Sequence, residues 1–247
     1  MIAATALAPL PEVRAGDDLP SLLLDAADRF RDGDVLVVAH KVVSKAEGQV
    51  RRLADVRPGE RARALGAEHD KDPRMVQVVL DESAEVVRAQ RGVLICRTHH
   101  GFVCANAGVD ASNAPADETV VLLPRHPDGS ARALRAALRA RAGAAIAVVI
   151  ADSFGRAWRH GQSDIAIGCA GLRPLDDWRG RADARGRELK ATWIAVADEA
   201  AAAADLARSK DSRQPAVLVR GLAAYVADDD GPGAIALVRA LDEDLFR

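Results

Sequence analysis

Two aspartates stand in polar clusters directly after apolar runs: Asp110 in NAGVDASN and Asp152 in ADSFGR. Hard divalent cations take oxygen ligands, and magnesium in phosphoryl-transfer sites is held by one or two carboxylates together with substrate phosphates. Asp110 and Asp152 supply such carboxylates. Asn106, Asn113 and Ser153 add neutral groups that can complete a shell or hydrogen-bond a nucleotide. Taken singly, each cluster is better read as the Asx-turns and caps that strand ends produce; having both, each beside glycine, narrows that gap.

Lys41, Lys45, Arg156, Arg159 and His160 lie in or beside glycine-containing turns, where they can neutralise phosphates or developing charge; one by one, each is also an ordinary solvated side chain. The chain has neither GxxxxGK[ST] nor GxGxxG, so a nucleotide site would be built another way. Serine hydrolysis finds no support without GxSxG. His99 and His100 are adjacent, point to opposite faces of an extended segment, and read as structural or partner-facing. Trp158, Trp178 and Trp193 read as packing or interface residues that could stack on a ring. Cys96, Cys104 and Cys169 are odd in number and form no CxxC, so they read as small buried hydrophobes rather than disulfides or a zinc knuckle.

These groups need elements to hold them. Asp17 and Asp18 open an apolar-periodic helix running to Phe30, and Val35 to Ala39 is a short apolar run, a strand buried on both faces. Pro58 and Pro73 flank or start helices, the second being PRMVQVVLDESAEVVRAQ with Met75, Val78, Val79 and Val86 inward. GVLICR, GFVCANAGVDASNA and ETVVLLP read as strands or strand edges joined by polar turns, followed by an Arg-studded helix around 129–142. AAIAVVIADSFGRAWRHG reads as a buried strand ending abruptly at Asp152, Ser153 and Gly155. SDIAIGCAG is a further strand, followed by a loop rich in Arg, Asp and Gly, after which ELKATWIAV runs into the helix ADEAAAAADLARS; then come the strand PAVLVRG, a turn at DDDGPG and a terminal helix. The alternation is that of an α/β or α+β chain, with residues 1–247 as a single domain or two closely packed subdomains.

At 247 residues the chain can bury a large core, and with 49% apolar but only 3% aromatic residues that core must be Ala, Val, Leu and Ile. A net charge of −2 offers no general attraction to nucleic acid or anionic membrane. The N-terminus lacks a charged leader, and no run reaches the roughly 18 apolar residues of a membrane span, so a cytoplasmic protein is expected.

The segments LPEV, GDVLVVAHKVVSKAEG, NAGVDASN, ADSFGRAWRHGQSDIAIG, DARGREL and PAVLVRGL together resemble the coenzyme F420-0:L-glutamate ligase family over nearly the whole chain. That resemblance implies an unusual α/β (α+β) fold of mixed sheets with flanking helices in an intertwined homodimer, without an appended flavin-binding domain. It implies GTP as cosubstrate, F420-0 and L-glutamate as substrates, an acyl-phosphate intermediate, and γ-linked addition of further glutamates. It also implies two divalent ions, Mg²⁺ or Mn²⁺, with K⁺ as a candidate monovalent ion. By motif, Leu10, Pro11, Glu12 and Val13 match one nucleotide-contacting segment and His40, Lys41 and Lys45 another, with Asn113 a further contact. Asp110, Asp152 and Ser153 match metal ligands; Asp110, Asp152 and Arg156 are the expected catalytic set. The family's last nucleotide- and metal-facing segment reads ARSKDSRQP here, with Ser209 and Lys210 as its contacts, where relatives often carry a Met-Gly or Lys-Gly turn. Two other classes fit the residues: a metal-dependent phosphatase or nucleotide hydrolase, and a non-catalytic nucleotide-binding protein.

Overall fold

The computed structural model describes residues 1–244. The first half of the chain runs β1 (Ala3–Ala6), α1 (Leu19–Ala26), β2 (Val35–Ala39), α2 (His40–Ala46), β3 (Val50–Arg52), α3 (Glu60–His69), α4 (Pro73–Asp81), β4 (Ser83–Gln90), β5 (Val93–Thr98), β6 (Val103–Ala105) and β7 (Thr119–Val121). The second runs α5 (Pro127–Ala142), β8 (Ala147–Arg156), β9 (Arg159–Ala170), β10 (Asp176–Asp177), β11 (Trp193–Ile194), α6 (Val196–Leu206) and β12 (Ala216–Arg220).

A five-stranded mixed sheet in the order β1-β12-β2-β8-β9 is the centre of the fold. Strands β2 and β8 pair in parallel and the remaining neighbours are antiparallel. VLVVA and AVVIA are apolar throughout because both faces of this pair are covered. Alternate residues point to opposite sides. Leu36, Val38, Val148 and Ile150 meet Leu23 of α1 and Leu134 and Leu138 of α5. Val35, Val37, Ala147 and Val149 meet Ala197, Ala200, Ala201 and Ala204 of α6. The alanines of α6 let its backbone come close to the sheet, which is how a chain this poor in aromatics closes its core.

The connection from β2 to β8 carries a second layer. There α3 and α4 pack on the sheet β4-β5-β6 and on β7 through Ala62, Val76, Val79, Leu94, Cys96 and Val120. Strand β7 pairs with β3, so this layer is tied back to the chain just after α2.

Four expected elements differ. The helix from Pro73 stops at Asp81, and Ser83–Gln90 is instead β4, paired antiparallel with β5. Pairing with GVLICR overrides a local pattern that suits either state. The first helix ends at Ala26 rather than Phe30. Strand β8 does not end at Asp152 but continues to Arg156, because β9 pairs with it all the way to Arg159. After Gly231 the described residues hold short 3₁₀ turns, Ala234–Leu237 and Leu241–Glu243, in place of a terminal helix; residues 245–247 lie outside the described part. No helix among the described residues is long and apolar enough to cross a membrane.

Candidate active site

The parallel register of β2 and β8 closes at Ala39 opposite Ala151. The next residue of each strand is a candidate: His40 turns into α2, and Asp152 continues along β8. This is the carboxyl end of adjacent parallel strands, where α/β sheets leave a crevice. His40 is only 2% exposed, with Nε2 3.3 Å from Asp152 Oδ1 and Nδ1 3.3 Å from Ser44 Oγ. The Nε2 contact is within ion-pair reach but is not a well-directed hydrogen bond. Asp152 Oδ1 also accepts the Ser153 N–H at 2.8 Å.

Asp110 reaches the same helix from the second layer. Its backbone exchanges two hydrogen bonds with Val121 of β7, after a turn in which Asn106, Ala107 and Gly108 all have positive φ. A side chain at Gly108 would collide with Leu123, its Cβ falling 2.7 Å from Cγ, so glycine lets the turn close against the core. Lys41 Nζ lies 2.6 Å from Asp110 Oδ2 and 2.6 Å from Ser112 Oγ. Burial pushes the Asp110 carboxyl up, but bonds from Lys41 and from the Ser112 N–H and hydroxyl outweigh it and hold it below the usual carboxylate value. Asp110 is therefore ionised at neutral pH. The neighbours His40 and Lys41 thus each touch one of the two aspartates.

Ser153 faces Asp164 across the β8–β9 register. Its hydroxyl donates to Asp164 Oδ1 at 2.5 Å and accepts from Lys210 Nζ at 2.8 Å. Arg208 bridges Asp164 Oδ2 at 2.6 Å and the Pro215 carbonyl at 2.7 Å, docking the chain that enters β12. Asp164 was not apparent as a site residue in the sequence; a lone carboxylate opening the apolar run IAIGCA was its one signal.

The other expected contacts divide. Leu10 and Val13 are core residues, so only their backbone can face a ligand, whereas Pro11 and Glu12 are exposed. Lys45 is nearly buried and donates to Glu12 at 2.6 Å, linking LPEV to α2. Asn113 and Ser209 are exposed, Asn113 with a φ of 54°. Arg156 stands about 13 Å along β8 from Asp152 by the rise of a strand. Its guanidinium bonds the His160 and Gly161 carbonyls of its own hairpin turn. His99 and His100 are structural: their rings meet the carbonyls of Asp81 and Arg125.

Two cavities, of about 310 and 360 Å³, adjoin through Phe154, Ile165 and Asp198 and include neither Asp110 nor Asp152 in their walls. The first holds the edge-to-face pair Phe102 and Phe154, with Arg97 and Arg239 beside them. Burial raises the Asp198 carboxyl above its ordinary value, partly offset by the Ala166 N–H.

Among the described residues no three Asp, Glu, His or Cys side chains converge on one point. Asp110, Asp152 and Ser153 nevertheless offer only oxygen, and Asp152 Oδ2 accepts no hydrogen bond among the described residues. Two carboxylates and a hydroxyl fit, in kind, a magnesium or manganese ion that takes its remaining ligands from phosphates.

Residues 8–221 match the family described as F420-0:gamma-glutamyl ligase. The chain belongs to that family. It is similar to the coenzyme F420:L-glutamate ligase of Methanothermobacter thermautotrophicus, with 41% identity over 96% of each chain. It is also similar to the coenzyme F420:L-glutamate ligases of Methanopyrus kandleri, 44% identical over 96% of this chain and 94% of the relative, and of Archaeoglobus fulgidus, 43% identical over 96% and 93%. Members of the F420-0:gamma-glutamyl ligase family form C–N bonds, and this chain is an enzyme of that ligase type. The family match takes in both aspartates, α2, the Ser153–Asp164 contact and the segment carrying Arg208 and Lys210.

Proposed function

We propose that this chain joins L-glutamate to coenzyme F420-0 in the cytoplasm, using GTP, and then adds further γ-linked glutamates. The approach of Asp110 and Asp152 to the adjacent residues Lys41 and His40 carries this reading, together with family membership. A carboxylate oxygen of F420-0 attacks the γ-phosphorus of GTP, the bond to the β-phosphate oxygen breaks, and GDP leaves. The amine of glutamate then attacks the acyl carbon, loses its proton, and inorganic phosphate departs with that carboxylate oxygen. Asp110, Asp152 and Ser153 would hold Mg²⁺ or Mn²⁺, which neutralises phosphate charge when bound, and K⁺ belongs to the same reading.

The protein's own groups have defined tasks. Lys41, paired with Asp110, brings a positive charge to the phosphate end, with Lys45 one turn further along α2 and Lys210 at the Ser153 hydroxyl. Lys210 is 67% exposed and can leave Asp205 for a phosphate with little lost burial. No protein nucleophile is needed, so a Ser153 hydroxyl occupied by Asp164 and Lys210 suits the scheme. The proposal includes a homodimer, for which the exposed Trp158 on the β8–β9 hairpin is a candidate interface residue.

The acyl phosphate is tested with F420-0 labelled with ¹⁸O in its carboxylate. One labelled oxygen is expected in inorganic phosphate for each F420-0 that gains its first glutamate; no labelled phosphate at that first addition would rule the intermediate out.

A further inference from the structure

The side chains around Ser153 form a closed set. Asp164 sits on β9 with only 1% of its side chain exposed, and both of its oxygens are used. Oδ1 takes the Ser153 proton, and Oδ2 takes an N–H of the nearly buried Arg208, whose other arm holds the Pro215 carbonyl. Lys210 donates to Ser153 Oγ at 2.8 Å and to Asp205 at 2.9 Å, and is 3.7 Å from Asp164 Oδ1.

A serine hydroxyl has one proton and two lone pairs, and only a lone pair can ligate a cation. With its proton committed to Asp164 and one lone pair to Lys210, Ser153 keeps one lone pair for a metal. Without Asp164 the hydroxyl could turn its proton into the site and present the wrong polarity. We infer that Asp164 is a positioning residue that fixes the Ser153 proton away from the site and, through Arg208, docks the segment that brings Lys210 to the same hydroxyl. This inference rests on the reading of Ser153 as a metal ligand given above.

Asp164→Asn gives a sharp perturbation. Arg208 draws the amide oxygen, so the amide NH₂ faces Ser153 and donates to it, reversing the hydrogen bond while nearly conserving shape. Asp164→Leu with Arg208→Met is a second route: it removes the acceptor without leaving a buried charge unpaired, a kind of exchange that buried ion pairs often tolerate.

The test measures Mn²⁺ affinity in the presence of GDP, by the electron paramagnetic resonance of free Mn²⁺, for the wild type, Ser153→Ala, Asp164→Asn and the double variant. Partners of this kind typically affect metal affinity by roughly 10- to 100-fold. Ser153→Ala and Asp164→Asn are each expected to weaken Mn²⁺ by about tenfold, and the double variant by no more than either alone, because both remove the same ligand. If Asp164→Asn fails to fold, the Leu/Met pair takes its place with the same expectation. A wild-type Mn²⁺ affinity in the Asp164 variant while Ser153→Ala is weakened would overturn the inference and leave the metal reading standing. So would effects that multiply in the double variant, as a purely structural Asp164 would give. An unchanged affinity in Ser153→Ala overturns both.

Discussion

His40 and Asp152 occupy the same step of two parallel strands, one residue past the last paired position, and their side chains meet at 3.3 Å. The sheet thereby presents a carboxylate at its carboxyl end with a buried imidazole behind it. Beside it on α2, Lys41 points instead to Asp110 from the second layer. Two parts of the chain that fold around separate cores are thus joined through adjacent residues of α2.

Asp152→Asn keeps the size of the side chain and removes its charge. Because positioning and electrostatics supply most of the rate in phosphoryl transfer, turnover is expected to fall at least about 10²-fold. Steady-state kinetics with a matched melting temperature checks this, and near-normal turnover would count against the assignment.

Lys45→Ala removes a nearly buried ammonium whose partner, Glu12, is largely exposed. A charge-assisted contact to phosphate is worth about 1.5–3 kcal/mol, so GDP affinity should drop about tenfold or more. Calorimetric titration measures it; unchanged affinity would return Lys45 to a purely structural link between LPEV and α2.

Asp198 gives a pH signature. Its folded carboxyl titrates above the ordinary value because of burial, so between the two values the folded state holds more protons than the unfolded one. Stability then falls as pH rises through that window, and the cost is full above it. Asp198→Asn keeps an oxygen for the Ala166 N–H and removes the cost. Its melting temperature should exceed the wild type's at pH 7, with the difference shrinking toward pH 4; a constant difference would contradict the burial account.

The cysteines should be silent. Cys96, Cys104 and Cys169 are all buried, and burial, aided at Cys104 by the Asp152 charge and at Cys169 by the Asp128 charge, pushes those two thiols up to about 12. A disulfide reagent at pH 8 should titrate no thiol in the native protein and three in guanidinium. Rapid native labelling of Cys104 would show that β6 opens.

Much of the scaffold is legible in local sequence, because its cause is local. Val35–Ala39 and Ala147–Ala151 are apolar at every position since both faces are covered, and the alanines of α6 mark a helix that must lie close to a sheet. Asp110 and Asp152 stand out because polar clusters follow apolar strands. What stays hidden depends on partners distant in the chain. Asp164 meets an arginine 44 residues away, and nothing adjacent to it in sequence announces that pairing. Ser83–Gln90 becomes a strand because β5 is there to receive it, while its own residues continue a helical pattern. Strand β8 outruns Asp152 because β9 folds back on it, a fact about the hairpin rather than about ADSFGR alone.

The central claim is ligation at the carboxyl end of β2 and β8, beside His40, Lys41 and the two aspartates. The most direct measurement incubates the protein with GTP, Mg²⁺, L-glutamate and coenzyme F420-0, and follows product mass together with GDP. The account predicts a product heavier by one or more glutamyl units, with one GDP per unit added. GTP turnover with no heavier product would contradict it.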